Sequence, residues 1–324
     1  MKYSVVKYSE AYFSEWNHFI SASKNGTFLL DRNFMEYHSD RFEDYSLMIF
    51  EDKTLISVLP AHKINDDIYS HWGLTYGGLI YNEKIKLTTV IKAFGVLLEY
   101  LYGNNITKLF VKLIPVIYHK YPSDEFSYTL FVAGASLIRK DTMSIIDNRN
   151  KLPFTKTRRQ SIRRGDKNGL IIKEESEFEL FWNKILIPNL YSRHDVKPVH
   201  SVKEIILLQQ KFPDNIRHFN VYHGDKIVAG TTVFITDTVA HPQYISGNQD
   251  KNELGSLDFL YDHLINEVFK DKNYFDFGIS NEAQGRKLNE GLLFWKESFG
   301  ARTLVHDFYE VETSNFKMLD NVLI

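Results

Sequence analysis

The sequence predicts an α/β (α+β) protein of two tandem domains, each a mixed, largely antiparallel sheet flanked by helices, and three observations carry that reading. The chain has 324 residues, about two domains at roughly 150 residues each. The same order of elements recurs in both halves, dividing the chain near Asn150 into residues 1–150 and 151–324. In each half a β-hairpin and a further strand precede a Gly-bearing loop, an amphipathic helix and a returning strand, an order that places helices on the faces of a sheet.

In the first half, residues 45–50 and 54–59 are β-rich runs joined by the polar turn Glu51-Asp52-Lys53. Residues 217–222 and 227–235 repeat this around His223-Gly224-Asp225-Lys226. The first helix carries Leu87, Val90, Ile91, Phe94, Leu97, Leu98 and Leu101 at three- and four-residue steps, and the second carries Leu257, Leu260, Tyr261, Leu264, Ile265 and Val268. Strands at residues 108–113 and 274–278 follow them. Capping boxes at Ser176/Glu179 and Ser201/Glu204 predict two more helix starts, and Leu288, Leu292, Trp295 and Phe299 predict a last helix over about 286–299.

Composition narrows the function. Apolar residues make up 44% and aromatic ones 15%, enough for packed cores, so disorder is excluded. With 39 Lys and Arg against 41 Asp and Glu, the charge of −2 points away from a dedicated nucleic-acid binder. No cysteine is present, which removes disulfides, thiolate metal sites and cysteine nucleophiles. No apolar run approaches the roughly 20 residues of a membrane span, and the first residues lack a signal-peptide pattern, so the expected location is the cytoplasm. Signatures of serine hydrolases, P-loop NTPases and zinc proteases are missing, Asp276-Phe277-Gly278 reads as a strand end, and the histidines, His194-Asp195 and His38-Ser39-Asp40 included, suggest no metal.

One segment departs from the even charge balance. Residues 151–167 hold seven basic groups and one acidic, for +6, which leaves −8 elsewhere. Arg163 and Arg164 could meet substrate phosphates, since guanidinium forks match phosphate oxygens; the plainer reading is a solvated helix. Between a β-run ending near Ser246 and the helix starting at Ser256 lies a loop in which Leu254, Gly255 and Ser256 would present N–H groups and a positive dipole end to a diphosphate. Ordinary helix capping is the alternative.

Strand, Gly-loop helix, strand and a helix reading Asn289-Glu290-Gly291-Leu292 through Gly300 resemble the second half of a GNAT acyltransferase domain. Two such halves, with the basic helix through Arg163-Arg164 and the Phe294-Trp295-Lys296 stretch, resemble the FemAB/FemX group of tandem-GNAT transferases, best over residues 155–310. Residues 32–41 and Ser70-His71-Trp72 through Gly78 are similar to FemAB-like proteins of bacterial surface-polysaccharide and lipopolysaccharide synthesis. The resemblance implies N-acyl transfer from acyl-CoA to the amine of a nucleotide-linked amino sugar, such as a dTDP-3-amino-3,6-dideoxyhexose. It implies that Leu254, Gly255, Ser256 and Asn289 attend coenzyme A, although Lys296 stands where that family commonly has a Tyr. Acyl transfer to an amine needs a proton acceptor, for which Asp276 and His71 are the candidates, and a cation or acid at the leaving thiolate, for which Lys296 is the candidate. Trp72, Tyr76 and Gly77 would offer a sugar ring an aromatic face and close backbone approach. Two alternatives stay open: aminoacyl transfer from tRNA to a peptidoglycan precursor, and a non-catalytic protein that binds a nucleotide sugar.

Overall fold

The computed structural model describes residues 2–324, the side chains of Arg193 and His194 excepted, so the His194 candidate lies outside the described residues. The chain forms two compact units, residues 1–141 with 305–324, and residues 142–304.

In unit 1 the hairpin of the sequence analysis forms as Leu47–Glu51 and Thr54–Leu59, with Tyr3–Lys7 paired on one side and Ile80–Tyr81 on the other. Asp52 takes φ 55° in the turn. A second set of strands pairs Lys108–Lys112 in parallel with Asp67–Tyr69 and antiparallel with residues 308–312. Helix Leu87–Gly103 buries Val90, Ile91, Phe94, Leu97, Leu98 and Leu101 against this core, while Leu87 at its start stays exposed. Each such side chain contributes roughly 1.5–3 kcal/mol by leaving water. The last residues differ from expectation: strand 302–312 reaches back to pair with Lys108–Lys112, so the C-terminus belongs to unit 1. The expected boundary at residue 150 lies inside unit 2 for a related reason, because residues 143–147 pair with Tyr274–Ile279.

Unit 2 holds the antiparallel order Ile171–Glu174, Ile216–His223, Lys226–Ile235, Val239–Gly247. Gly224 takes φ 56° in the hairpin turn, a conformation glycine adopts without steric cost. The Ser201/Glu204 capping box forms in full at helix Val202–Lys211. The Ser176 box does not: helix Phe178–Phe181 starts one residue later, without a side-chain cap. The last helix is shorter than expected, Glu290–Glu297, because residues 281–288 make a small hairpin in which Ala283, Gln284 and Gly285 all have positive φ.

Candidate functional site

The feature that organises unit 2 is a pair of parallel strands that start together and part. Val239–Gly247 meets Tyr274–Ile279 only at Val239/Tyr274 and Ala240/Phe275. Two irregularities accompany the parting. Pro242 has no N–H to give to a neighbouring strand, and the pairing of Val239–Gly247 with Lys226–Ile235 slips between Thr232 and Val233. On the other side, the pairing of Tyr274–Ile279 with residues 143–147 slips between Asp276 and Ile279.

His241, the first residue beyond the paired portion, bridges the opening. Its Nδ1 lies 3.0 Å from the Asp276 backbone oxygen and 3.1 Å from Asp276 Oδ2. Both partners accept only, so Nδ1 carries the proton and, in the neutral ring, Nε2 presents its lone pair. Asp276 is 1% exposed, and its Oδ1 accepts the Gly278 N–H at 2.6 Å. Gly278 has φ 71°, and a methyl group there would sit 3.1 Å from His241 Cε1, so both backbone shape and space call for glycine.

Lys296 comes to the same strand from helix Glu290–Glu297. It is 2% exposed, and its Nζ donates to the carbonyls of Gly278, at 3.0 Å, and Ile279, at 2.6 Å. Burial pushes its pKa down to about 8, with the charge of Asp276 opposing the shift. The amine can therefore hold or release a proton near neutral pH, and two of its three hydrogens are engaged. Asp276 and Lys296 are thus brought together, and His241 is the member of the group that sequence reasoning missed.

The expected diphosphate cradle takes another form. The N–H of Leu254 goes to Asp250 O and that of Gly255 to Lys251 O, each at 2.9 Å, and Ser256 is fully buried. Helix Lys156–Lys167 crosses here so closely that a methyl group at Gly255 would lie 2.3 Å from Ser161 O. The positive end of helix Ser256–His263 already has a carboxylate: Asp258, in its first turn, pairs with Arg158 and accepts from Trp295 Nε1. These residues do not fit a coenzyme A diphosphate. Asn289 is the N-cap of the last helix, accepting from Leu292 N at 3.0 Å. Arg163 and Arg164 are both exposed, and Arg164 reaches Ser161 Oγ.

The remaining candidates lie in unit 1. His71 is buried among the rings of His38, Phe42 and His62 at 5.2–5.6 Å, and burial pushes its pKa down to about 3, with His38 and His62 adding to the shift. Among the described residues its Nδ1 has no hydrogen-bond partner to orient it. Tyr76 is buried with its hydroxyl on Thr27 Oγ1, and the Gly77 N–H goes to Lys112 O. Trp72 alone of the expected sugar platform is open, 45% exposed and 4.5 Å from the Tyr69 ring. Among the described residues no group of His, Asp or Glu is arranged to hold a metal ion, and no helix is long and apolar enough to cross a membrane.

No family model matches the chain, and no curated protein matches its sequence. Solved structures do. FemX matches with TM-score 0.65 at 10% identity, covering 98% of this chain and 99% of that one. The C-terminal domain of a putative lysylphosphatidylglycerol synthetase from Agrobacterium fabrum matches with TM-score 0.62 at 12% identity, covering 96% and 95%. A tandem GNAT protein from the clavulanic acid biosynthesis pathway matches with TM-score 0.50 at 9% identity, covering 96% and 99%. What is shared at such identities is the fold, and the chain has the tandem GNAT-like fold seen in FemX.

Proposed function

We propose that the chain is an N-acyltransferase whose reaction centre is the opening between Val239–Gly247 and Tyr274–Ile279. The observation that carries this reading is the buried Asp276 carboxylate holding Nδ1–H of His241. That contact leaves Nε2 as the base for an attacking amine, and Asp276 stabilises the imidazolium that results. The amine nitrogen forms a bond to the acyl carbon as its proton passes to His241. The bond from that carbon to the donor's leaving atom then breaks, and the proton moves from His241 to the leaving group. In this reading Asp276 orients and His241 is the base. Lys296 fixes the end of the Tyr274–Ile279 strand through its two carbonyl contacts and lends a positive charge when protonated. His71 serves packing, and Trp72 remains available to a sugar ring.

The acceptor we favour is the amine of a nucleotide-linked amino sugar, with acyl-CoA as donor. One observation favours a second reading, aminoacyl transfer from tRNA to a peptidoglycan precursor: the N-terminus of helix Ser256–His263 is buried and already complemented by Asp258. The test presents purified protein with acyl-CoAs and dTDP- and UDP-linked amino sugars, and separately with aminoacyl-tRNA and a precursor, and follows amide formation by mass spectrometry. Amide from the first set supports the favoured acceptor and donor. Amide from the second set alone replaces them, and none from either removes the transferase reading.

A further inference from the structure

Helix Lys156–Lys167 has two working faces. Arg158, Ser161 and Gly165, at three- and four-residue steps, are its buried residues, and at Gly165 a methyl group would come within 2.5 Å of Phe259 Cβ. Arg159, Ile162 and Arg163, offset by one position, line a cavity of about 510 Å³ together with Lys151, Phe154, Asp262 and Asn266. It is a depression largely open to solvent, with a volume in the range of small-molecule sites, roughly 300–1,000 Å³.

We infer that this cavity is a nucleoside-diphosphate site, with Arg159 and Arg163 on the phosphates and the Phe154 ring on the base. Four observations converge on it. Arg159 and Arg163 stand one helical turn apart, about 5–6 Å between Cβ atoms, a spacing at which two guanidinium forks can share a diphosphate. Among the described residues the Arg163 guanidinium has no hydrogen-bond or ion-pair partner, and that of Arg159 donates to Phe154 O. Lys151, fixed by Ile265 O at 2.9 Å and Asn266 Oδ1, adds a third positive charge to the wall. Asp262, which accepts from Asn266 Nδ2 at 2.8 Å, is the carboxylate of the lining and has lone pairs left for ribose hydroxyls. A bare anion would need no carboxylate and no aromatic wall.

The inference rests on the nucleotide-linked acceptor proposed above and names where its nucleotide would be held. Calorimetric titration of the full chain with UDP, dTDP and inorganic pyrophosphate tests it without any turnover. The expected result is binding of a nucleoside diphosphate more tightly than pyrophosphate. Arg163→Ala then weakens it about tenfold or more, the loss of one charge-assisted fork. Lys167→Ala, an equal loss of charge on the same helix outside the cavity, changes it less than about twofold. No binding by the unaltered protein, equal binding of pyrophosphate, or equal weakening by the two variants each overturns the inference. A variant at His241 that abolishes transfer but binds UDP normally separates the failure of either proposal from the other.

Discussion

Each unit has a pair of adjacent parallel strands, and the two pairs end in opposite ways. In unit 1, Asp67–Tyr69 runs beside Lys108–Lys112 for three residue pairs, and the loop that follows continues the closure. Ser70 N–H donates to Phe110 O at 2.8 Å, Lys112 N–H to Ser70 Oγ at 2.9 Å, and Gly77 N–H to Lys112 O at 2.8 Å. Even the Lys112 ammonium is spent, on Leu74 O. In unit 2 the corresponding pair opens after two residues, and side chains rather than backbone occupy the opening. A strand edge already consumed by hydrogen bonds can hold a fold together but offers nothing to a reacting group. An opening lined by a buried carboxylate, an imidazole and an amine is costly to maintain unless each group is paired, and here each is. The comparison therefore supports the proposal that the chemistry lies in unit 2, with the equivalent place in unit 1 serving as scaffold.

The largest effect that would break this assignment is at His241. His241→Asn should lower the rate of amide formation about 10²–10⁴-fold, the usual worth of a positioned base, with little change in melting temperature. Asp276→Asn should also act on kcat more than on KM, because the amide in place of the carboxylate no longer stabilises the imidazolium. Gly278→Ala comes next: a left-handed residue and a crowded His241 cost about 1–2 kcal/mol of stability, seen as a lower urea midpoint together with slower transfer. At the matching place in unit 1, Gly77→Ala would put a methyl group 2.0 Å from Ser70 O. We expect it to destabilise by roughly 1–3 kcal/mol while leaving the rate per folded molecule near normal, which separates scaffold from site.

The smallest effects are in pH dependence. The pKa of Lys296 falls from 10.5 unfolded to about 8 folded. The unfolded chain therefore binds more protons between those values, and stability rises with pH across that window. Lys112 in unit 1, which burial also pushes down to about 8, adds to the same rise, so Lys296→Met should reduce it without abolishing it, as measured by chemical unfolding from pH 8 to 10.5. His62 and His71 in unit 1 are held neutral by burial, down to about 4 and about 3. Their contribution is complete above pH 6.5 and is lost as pH falls through about 4 and then about 3, so hydrogen exchange in acid should rise around these residues, and around His218 in unit 2, which burial also pushes down to about 4.

Much of this molecule can be read along the chain, where the cause is local. The apolar stripe from Val90 to Leu101, the turn at Gly224 and the Ser201/Glu204 box all act within a few residues, and all stand as expected. Asp276 and Lys296 were recognisable by their place near a strand end and on the last helix. His241 was not, because its partner lies 35 residues away and a lone histidine beside Pro242 carries no pattern of its own. The loop at Gly255 shows the reverse failure. Its residues suit an open phosphate cradle, and only the crossing of helix Lys156–Lys167, with Ser161 O pressed against Gly255 and Arg158 on Asp258, takes that role from it. The return of residues 305–312 to unit 1 is likewise a pairing with Lys108–Lys112 across most of the chain.

The central claim is that His241, oriented by Asp276, takes the proton of the attacking amine in unit 2. The most direct test is the rate of amide formation by the unaltered chain and by His241→Asn, measured by mass spectrometry on samples of matched melting temperature. A loss of about 100-fold or more in the variant is the predicted result. Equal rates would contradict it and move the reaction away from the opening between Val239–Gly247 and Tyr274–Ile279.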